Sequence, residues 1–507
     1  MSSADPATQF QQGFALHRQG RLDEAEAIYR RVLASQPGHF GALHFTGLIH
    51  YQRGALAEAV EWIGRALAVN PASPEAHSNL GLALLDLKRP EEALASHEWS
   101  LKLRPDVPDT LNNRGNALQA LNRPAEALAD YDRALQLRPD YAMAHSNRGN
   151  ALRALGRLEE AVASFDRALQ LAPDFDAALN NRGRALRDLK RYDEAAQSFA
   201  RLLAMTPQQP YAPGMLLATR LNTCDWTDFE KISAAIVAAV ERGERADAPF
   251  SFFCHATSAK AQLRCAEAFV AFEFPAPSPL VTRASRQEHV RLAYLSADFH
   301  GHATAYLMAE LFEHHDRARF EVVGLSYGPD DSSAVRARLK VGFDRFVDVR
   351  GISDRQVAEL MRDQGIDIAV DLKGFTADNR ASIFAYRGAP LQVSYLGFPA
   401  TMGTPFIDYI IADRRIIPPE LESAYSEKAV RLPDSYQVND RKRRIADRTP
   451  SRAEMGLPDG GFVFCSFNNN YKILPPVFDV WMRLLRSVEG SVLWLLQDNA
   501  GAVDNLR

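Results

Sequence analysis

Two side chains in the second half of this 507-residue chain could carry charge in a group transfer. Lys472 follows Asn468-Asn469-Asn470-Tyr471 and stands just before Pro475, which predicts a helix start. A lysine beside a helix N-terminus suits a phosphate, because the ammonium and the unpaired backbone amides both present positive charge there. Were such a phosphate to gain negative charge during a reaction, the preorganised pair would favour that state over the ground state. His302 lies in the run Ser296-Ala297-Asp298-Phe299-His300-Gly301-His302-Ala303-Thr304. An imidazole titrates in the range where an attacking hydroxyl must lose its proton. Residue type alone leaves two roles for His302, general base and positioning group.

Two more polar, glycine-bearing runs have the same setting. One is Asp371-Leu372-Lys373-Gly374-Phe375-Thr376, the other Tyr395-Leu396-Gly397-Phe398-Pro399-Ala400-Thr401-Met402-Gly403. Each run follows a short apolar segment that reads as a strand. Strands are predicted at 290–295, 320–325, 345–349, 367–371, 391–395, 409–412 and 429–432, with helices at 305–315, 354–364 and 380–386. Alternation of this kind argues a parallel, doubly wound sheet, whose sites lie in the loops at the carboxyl ends of strands. The three runs therefore predict one shared cleft. A second unit of the same type starts near Gly460, with strands at 461–467 and 491–496 around a helix at 475–487. One strand-helix-strand unit and a short tail cannot bury both faces of a parallel sheet.

The first half reads differently. Pro37, Pro71, Pro105, Pro139, Pro173 and Pro207 are spaced by 34 residues, as are Ala25, Ala59, Ala93, Ala127, Ala161 and Ala195, and Gly13, Gly47, Gly81, Gly115, Gly149 and Gly183. Small residues permit close helix packing, and proline ends the second helix of each period. A 34-residue period of this kind resembles the tetratricopeptide repeat, with six repeats over 6–209. Tyr29, Ile63, Tyr131, Phe165 and Phe199 share one position, which His97 takes in the third repeat; the expectation there is a partly buried ring with satisfied nitrogens. Asn79, Asn113, Asn147 and Asn181 recur two residues before the glycine. Their amides suit either an extended peptide backbone on a concave repeat surface or hydrogen bonds between repeats.

Composition sets the outer bounds. A chain of this length predicts roughly three domains. A net charge of −4 gives no electrostatic case for nucleic acid or an anionic membrane, and no segment is long and apolar enough to suggest a span. Cys224, Cys254, Cys265 and Cys465 form no paired motif, which favours reduced thiols and a cytoplasmic protein. Residues 210–285 read as a transitional helical region, with Asp225 or Thr227 as a cap and a proline-rich linker at 275–279. The basic run Arg441-Lys442-Arg443-Arg444 reads as a solvated linker.

The loops of the second half resemble the catalytic half of the O-linked N-acetylglucosamine transferases, including SPINDLY-like proteins. The resemblance covers about Leu221 to Arg507, with Cys224-Asp225-Trp226-Thr227-Asp228, Ser296 to Met308, Leu391 to Asp413, Tyr425-Ser426-Glu427-Lys428 and Cys465 to Lys472 as its specific stretches. It implies a GT-B fold: a first Rossmann-like domain at 286–455 and the start of a donor-binding one at 456–507. It also implies inverting, metal-independent transfer of N-acetylglucosamine from UDP-GlcNAc to serine or threonine of acceptor proteins held by the repeats. By position, His302 matches the family histidine between donor phosphate and acceptor hydroxyl. Thr376, Leu396, Gly397 and Pro399 match positions near the donor sugar. Tyr471 and Lys472 match residues at the diphosphate, and Asn469 stands where animal enzymes carry glutamine. Asp367 stands where those enzymes carry a histidine and is assigned no role. The family's second domain continues past the position of Arg507, so the chain is expected to be C-terminally truncated. Two other readings compete: a catalytically dead peptide-binding scaffold, and a protein O-fucosyltransferase using GDP-fucose.

Overall fold

The computed structural model describes residues 5–274, 279–280 and 288–507. Of the expected proline-rich linker, residues 275–278 lie outside the described residues. The chain divides into two compact units, Met1–Met205 and Thr206–Arg507.

In the first unit each period forms a 13-residue helix and then a 14-residue helix, from Pro6–Arg18 with Leu22–Ser35 to Asp176–Asp188 with Tyr192–Met205. The recurrent glycine meets the recurrent large side chain of its own period. A Cβ on Gly115 would stand 2.5 Å from the Tyr131 ring, on Gly149 2.6 Å from Phe165 and on Gly183 2.7 Å from Phe199. Such contacts leave no room for a methyl group, so helix spacing is set by glycine against a ring. The turn between paired helices places Gly20, Gly54, Lys88, Asn122, Gly156 and Lys190 in the left-handed region. Glycine adopts that conformation without the Cβ penalty that the two lysines meet.

His97 is fully buried against Gly81, and neither ring nitrogen has a partner. The expected satisfied, partly buried ring is thus corrected: the position demands a filled volume and offers no polar group. Burial, with Arg114 nearby, pushes the imidazole down from 6.5 to about 4.

The second unit begins with helices Ala212–Asn222, Phe229–Glu241, Pro249–His255 and Ala259–Glu273. Asp228, not Asp225 or Thr227, occupies the cap of the second, in a left-handed conformation without a side-chain cap bond. A seven-stranded parallel sheet follows, made of β1 (Val290–Ser296), β2 (Phe320–Ser326), β3 (Arg345–Asp348), β4 (Ile368–Asp371), β5 (Leu391–Tyr395), β6 (Tyr409–Asp413) and β7 (Lys428–Leu432). Its order is β3-β2-β1-β4-β5-β6-β7, so the direction of winding reverses between β1 and β4. Alternate residues of β1 serve opposite faces: Ala293 and Leu295 pack with Val357, Met361, Ala266 and Val270, whereas Leu292 and Tyr294 pack with Met308, Phe312, Leu339 and Phe343. The helical region preceding the sheet therefore covers one of its faces. Helix Ala334–Gly342, which the sequence reading omits, lies in the other layer through Val335 and Leu339. Its apolar positions are spread among charged residues, and this weakens the periodic signal.

Two further parallel strands, β8 (Val463–Ser466) and β9 (Val492–Leu495), flank helix Pro475–Ser487. Neither strand is fully buried, Phe462, Phe467 and Leu496 are exposed, and the helix has no fully buried residue.

The imidazole of His97 titrates lower in the folded chain than free, so unfolded chains bind the proton first. Stability associated with its burial is complete above about pH 6.5 and declines as pH falls toward about 4, by roughly 3 kcal/mol at most. Phe165 and Phe199 already fill this position elsewhere. His97→Phe is expected to raise the melting temperature of the array at neutral pH and to remove that acid-dependent loss. Thermal melts at about pH 7 and about pH 5 check it; equal acid losses in both proteins would contradict it.

Candidate active site

The reversal between β1 and β4 opens the crevice in which doubly wound sheets bind ligands. Two expected loops meet there. Asp298, after β1, and Lys373, after β4, form an ion pair in which Nζ donates to both carboxylate oxygens at 2.9 and 3.0 Å. Their side chains are only 8% and 7% exposed. Thr304 Oγ1 adds a third donor to Asp298, at 3.3 Å. Below the pair, the buried Asp371 carboxylate accepts the backbone amides of Lys373 and Gly374. Burial outweighs those bonds and pushes Asp371 up to about 6.

His302 sits above this pair as the N-cap of helix Ala303–Glu313, and its Nδ1 accepts the Thr304 amide at 3.2 Å. The side chain is 44% exposed, and Asp298 Oδ2 lies 3.5 Å from Nδ1. Partial burial, Lys373 and His300 lower its affinity for a proton, while Asp298 opposes them; the net displacement is downward. His300 lies 4.0 Å from Asp331, which receives the Gly301 amide.

The loop after β5 closes against the loop after β4. Leu396 is held in the left-handed region, where a branched side chain is strained. A Cβ on Gly397 would stand 2.0 Å from the Leu372 carbonyl oxygen, and one on Gly374 2.3 Å from Phe398. Both positions bring backbone within van der Waals reach of a neighbouring loop. Thr376 Oγ1 donates to the Lys373 carbonyl at 2.9 Å, and Tyr425 donates its hydroxyl to the Pro399 carbonyl. Buried Glu427 fastens the same loop, accepting from Thr401 Oγ1 at 2.8 Å and the Met402 amide at 2.6 Å. Burial raises its carboxyl above the ordinary range. His302, Thr376, Leu396, Gly397 and Pro399 thus belong to three loops at one edge of the sheet.

Asn469, Tyr471 and Lys472 follow β8. Tyr471 packs on Phe250, ring centroids 6.2 Å apart, and Phe250 packs on Phe398 at 6.5 Å. An aromatic row therefore joins the Tyr471 turn to the β5 loop. Lys472 is exposed, with its ammonium 5.9 Å from the Tyr471 ring centre, and Asn469 is exposed at the start of the turn. Cys224-Asp225-Trp226 anchors this turn: Trp226 Nε1 donates to the Ile473 carbonyl at 3.2 Å, and Cys224 and Ile473 are buried together.

Within the repeat unit, the recurrent asparagines are half-buried, and Asn79 and Asn147 make bonds between periods, whereas Asn113 is bonded to its neighbour Asn112. Asn147 Nδ2 donates to Asn112 Oδ1 at 2.9 Å, Asn112 Nδ2 donates to Asn113 Oδ1 at 3.3 Å, and Asn79 Nδ2 lies 3.1 Å from His44 Nε2. Asn181 holds the equivalent half-buried place.

Sequence reasoning did not single out three groups. Lys373 and Glu427 lay inside quoted runs, where a charged residue beside a strand is the signal that could have marked them. The third is the segment 440–442. Arg441 pairs with Glu310 at 3.0 Å, Asp440 with Arg338 at 2.6 Å and Lys442 with Glu313 at 2.6 Å. Part of the basic run is therefore strapped to the helix that His302 caps, rather than solvated along its length. Arg441 and His314 hold Glu310 down to about 2.

The model of glycosyl transferase family 41 matches residues 223–450 and 444–506, and tetratricopeptide repeat models match 10–67, 47–88, 112–176 and 163–210. The Arabidopsis thaliana protein described as probable UDP-N-acetylglucosamine–peptide N-acetylglucosaminyltransferase SEC is 30% identical over 231 residues, 45% of this chain and 24% of that protein. The UDP-N-acetylglucosamine–peptide N-acetylglucosaminyltransferase of Caenorhabditis elegans is 25% identical over 402 residues, covering 54% of this chain and 35% of its own length. Among solved structures, a mutant O-GlcNAc transferase of Thermobaculum terrenum is 24% identical, with 84% of this chain and 68% of that one covered at a TM-score of 0.43. The chain spans about a quarter to a third of the length of these two curated relatives.

The Gly397 contact yields a direct test. Gly397→Ala forces its Cβ into the Leu372 carbonyl and is expected to destabilise the second unit by about 2–4 kcal/mol. Gly351→Ala meets nothing within 4 Å and should stay within about 0.5 kcal/mol. Urea denaturation of both variants checks the contrast; equal stabilities would contradict the close approach.

Proposed function

Because this chain belongs to glycosyl transferase family 41, we propose that it serves a protein O-N-acetylglucosaminyltransferase that moves N-acetylglucosamine from UDP-GlcNAc to serine or threonine of acceptor proteins. The single observation that carries this reading is the convergence of three strand-end loops at the reversal point of the sheet, tied by the buried Asp298–Lys373 pair. Such a crevice suits a nucleotide sugar, and the residues around it are those a sugar-phosphate bond requires.

In this reading Lys472 stabilises the departing diphosphate, and Tyr471 with Asn469 shapes that subsite. The lysine is exposed and free to meet an anion, with its ammonium 5.9 Å from the centre of the Tyr471 ring. Leu396, Gly397 and Pro399 present backbone and apolar surface to the sugar, where a side chain at Gly397 would clash. Thr376, whose hydroxyl is turned to its own loop, closes that side. His302 stands at the mouth, between donor phosphate and acceptor hydroxyl. Transfer is inverting and needs no metal, with charge neutralised by lysine. Acceptor segments lie along the asparagine row of the repeats, where Asn79, Asn113, Asn147 and Asn181 offer their remaining amide capacity.

The test uses the natural protein and transfer of labelled N-acetylglucosamine from UDP-GlcNAc to protein acceptors. Lys472→Ala is expected to lower kcat about 10²–10³-fold, and His302→Ala about 10²-fold. Unchanged transfer in both variants would overturn the site assignment. Peptide binding without any UDP-GlcNAc binding would favour the scaffold reading, and preference for GDP-fucose in a competition assay would change the donor.

A further inference from the structure

Two groups compete for one nitrogen of His302. The Thr304 amide, in the first turn of helix Ala303–Glu313, points a hydrogen at Nδ1 from 3.2 Å and requires a lone pair there. The Asp298 carboxylate, 3.5 Å from the same atom, would be best satisfied by a hydrogen on Nδ1. A neutral imidazole can meet only one of these demands. Were the carboxylate to prevail, Nε2 would hold the lone pair, the arrangement of a general base. Were the amide to prevail, Nε2 would carry the hydrogen, the arrangement of a donor.

The surroundings favour the amide. Both Asp298 oxygens are engaged by Lys373 Nζ, and Oδ2 also receives the Thr304 hydroxyl. The pair is nearly sealed from water, so the lysine is the carboxylate's closest source of positive charge. The start of a helix disfavours an imidazolium placed on it. The charged and titratable groups around His302 are Asp298 on its own loop, Lys373 from the loop after β4, and His300, which faces Asp331. Only Asp298 favours the protonated ring, and it is already paired.

We propose that Lys373 is a positioning residue: by clamping Asp298 it keeps that carboxylate from claiming Nδ1, so that His302 stands in the crevice as a neutral imidazole with its hydrogen on Nε2. That hydrogen donates to an anionic or hydroxyl oxygen in the crevice, and His302 does not act as general base through Nε2. The catalytic consequence rests on the glycosyl-transfer reading above; the tautomer and its control by Lys373 do not.

The experiment is long-range ¹H–¹⁵N NMR of the full chain labelled with ¹⁵N-histidine, titrated with pH, with His302→Gln used to assign the resonance. The expected result in the unmodified protein is an unprotonated Nδ1 and a protonated Nε2 above the titration midpoint. Folded Lys373→Met is expected to raise that midpoint by about one pH unit, so that near the original midpoint the neutral-to-charged ratio falls about tenfold. Lys373→Arg, which keeps the charge, should leave it within about 0.3 unit. A hydrogen on Nδ1 in the unmodified protein, or an unmoved midpoint in folded Lys373→Met, would overturn the proposal. If Lys373→Met does not fold, the tautomer of the unmodified protein decides alone. None of these spectra depends on transfer, so a chain inactive toward nucleotide sugars fails the functional reading without altering this outcome.

Discussion

The Asp298–Lys373 ion pair is the constraint on which the candidate site depends. It lies where the order of the sheet reverses, and it joins the loop after β1 to the loop after β4. Two charges removed from water lose several kcal/mol of hydration each, and their attraction restores this only with good geometry and further donors. Here the lysine makes two short contacts and a threonine hydroxyl supplies a third. Thr304 also belongs to the helix that His302 caps, so the same carboxylate fixes the pair, the first helical turn and the surroundings of the imidazole. Position and electrostatics of His302 are therefore one property, not two.

The helices before the sheet belong to that site as much as the strands do. Ala266 and Val270 cover one face of the sheet, and Phe250 stands between Tyr471 and Phe398. Trp226 and Cys224 hold the turn from which Lys472 projects. The two-stranded unit thus takes its position from contacts with this helical layer. Asn499 and Asn505 add to that anchoring by donating to the carbonyls of Asn222 and Thr223. The sequence reads 210–285 as transitional, yet Cys224, Trp226, Phe250, Ala266 and Val270 of that region between them touch both the sheet and the Tyr471 turn.

Legibility followed the kind of interaction involved. The 34-residue period announced the helix pairs because glycine against a ring is a local demand that each repeat meets again. The strands were legible because continuous apolar runs mark segments buried on both faces. Helix Ala334–Gly342 was not, since Arg336 is almost fully buried among polar partners and breaks the apolar pattern. The left-handed turn position was also missed: glycine marks it in three repeats, whereas Lys88, Asn122 and Lys190 hide it in the others. The ion pairs of Asp440, Arg441 and Lys442 join residues more than 100 positions apart, and no spacing rule reveals such partners. For the site, sequence could mark the three loops but not which of their charges pair.

Several strained positions and buried charges of the second unit lie in or against the loops at one edge of the sheet. Leu396 holds a conformation that branched side chains avoid, Gly397 and Gly374 admit neighbouring loops too close for a Cβ, and Asp371 and Glu427 keep carboxyls in apolar surroundings that displace them upward. Each feature is unfavourable taken alone, and contacts within and between these loops hold them: Asp371 accepts the Lys373 and Gly374 amides, and Glu427 accepts from Thr401 and Met402. Layers such as the cluster of Leu292, Met308, Phe312 and Phe343 are built from ordinary aliphatic and aromatic packing. Stability supplied by those layers allows the edge to keep polar groups in fixed, partly unfavourable places. Local departures from packing rules accompany preorganised chemistry, and the loops after β1, β4 and β5 carry several of them.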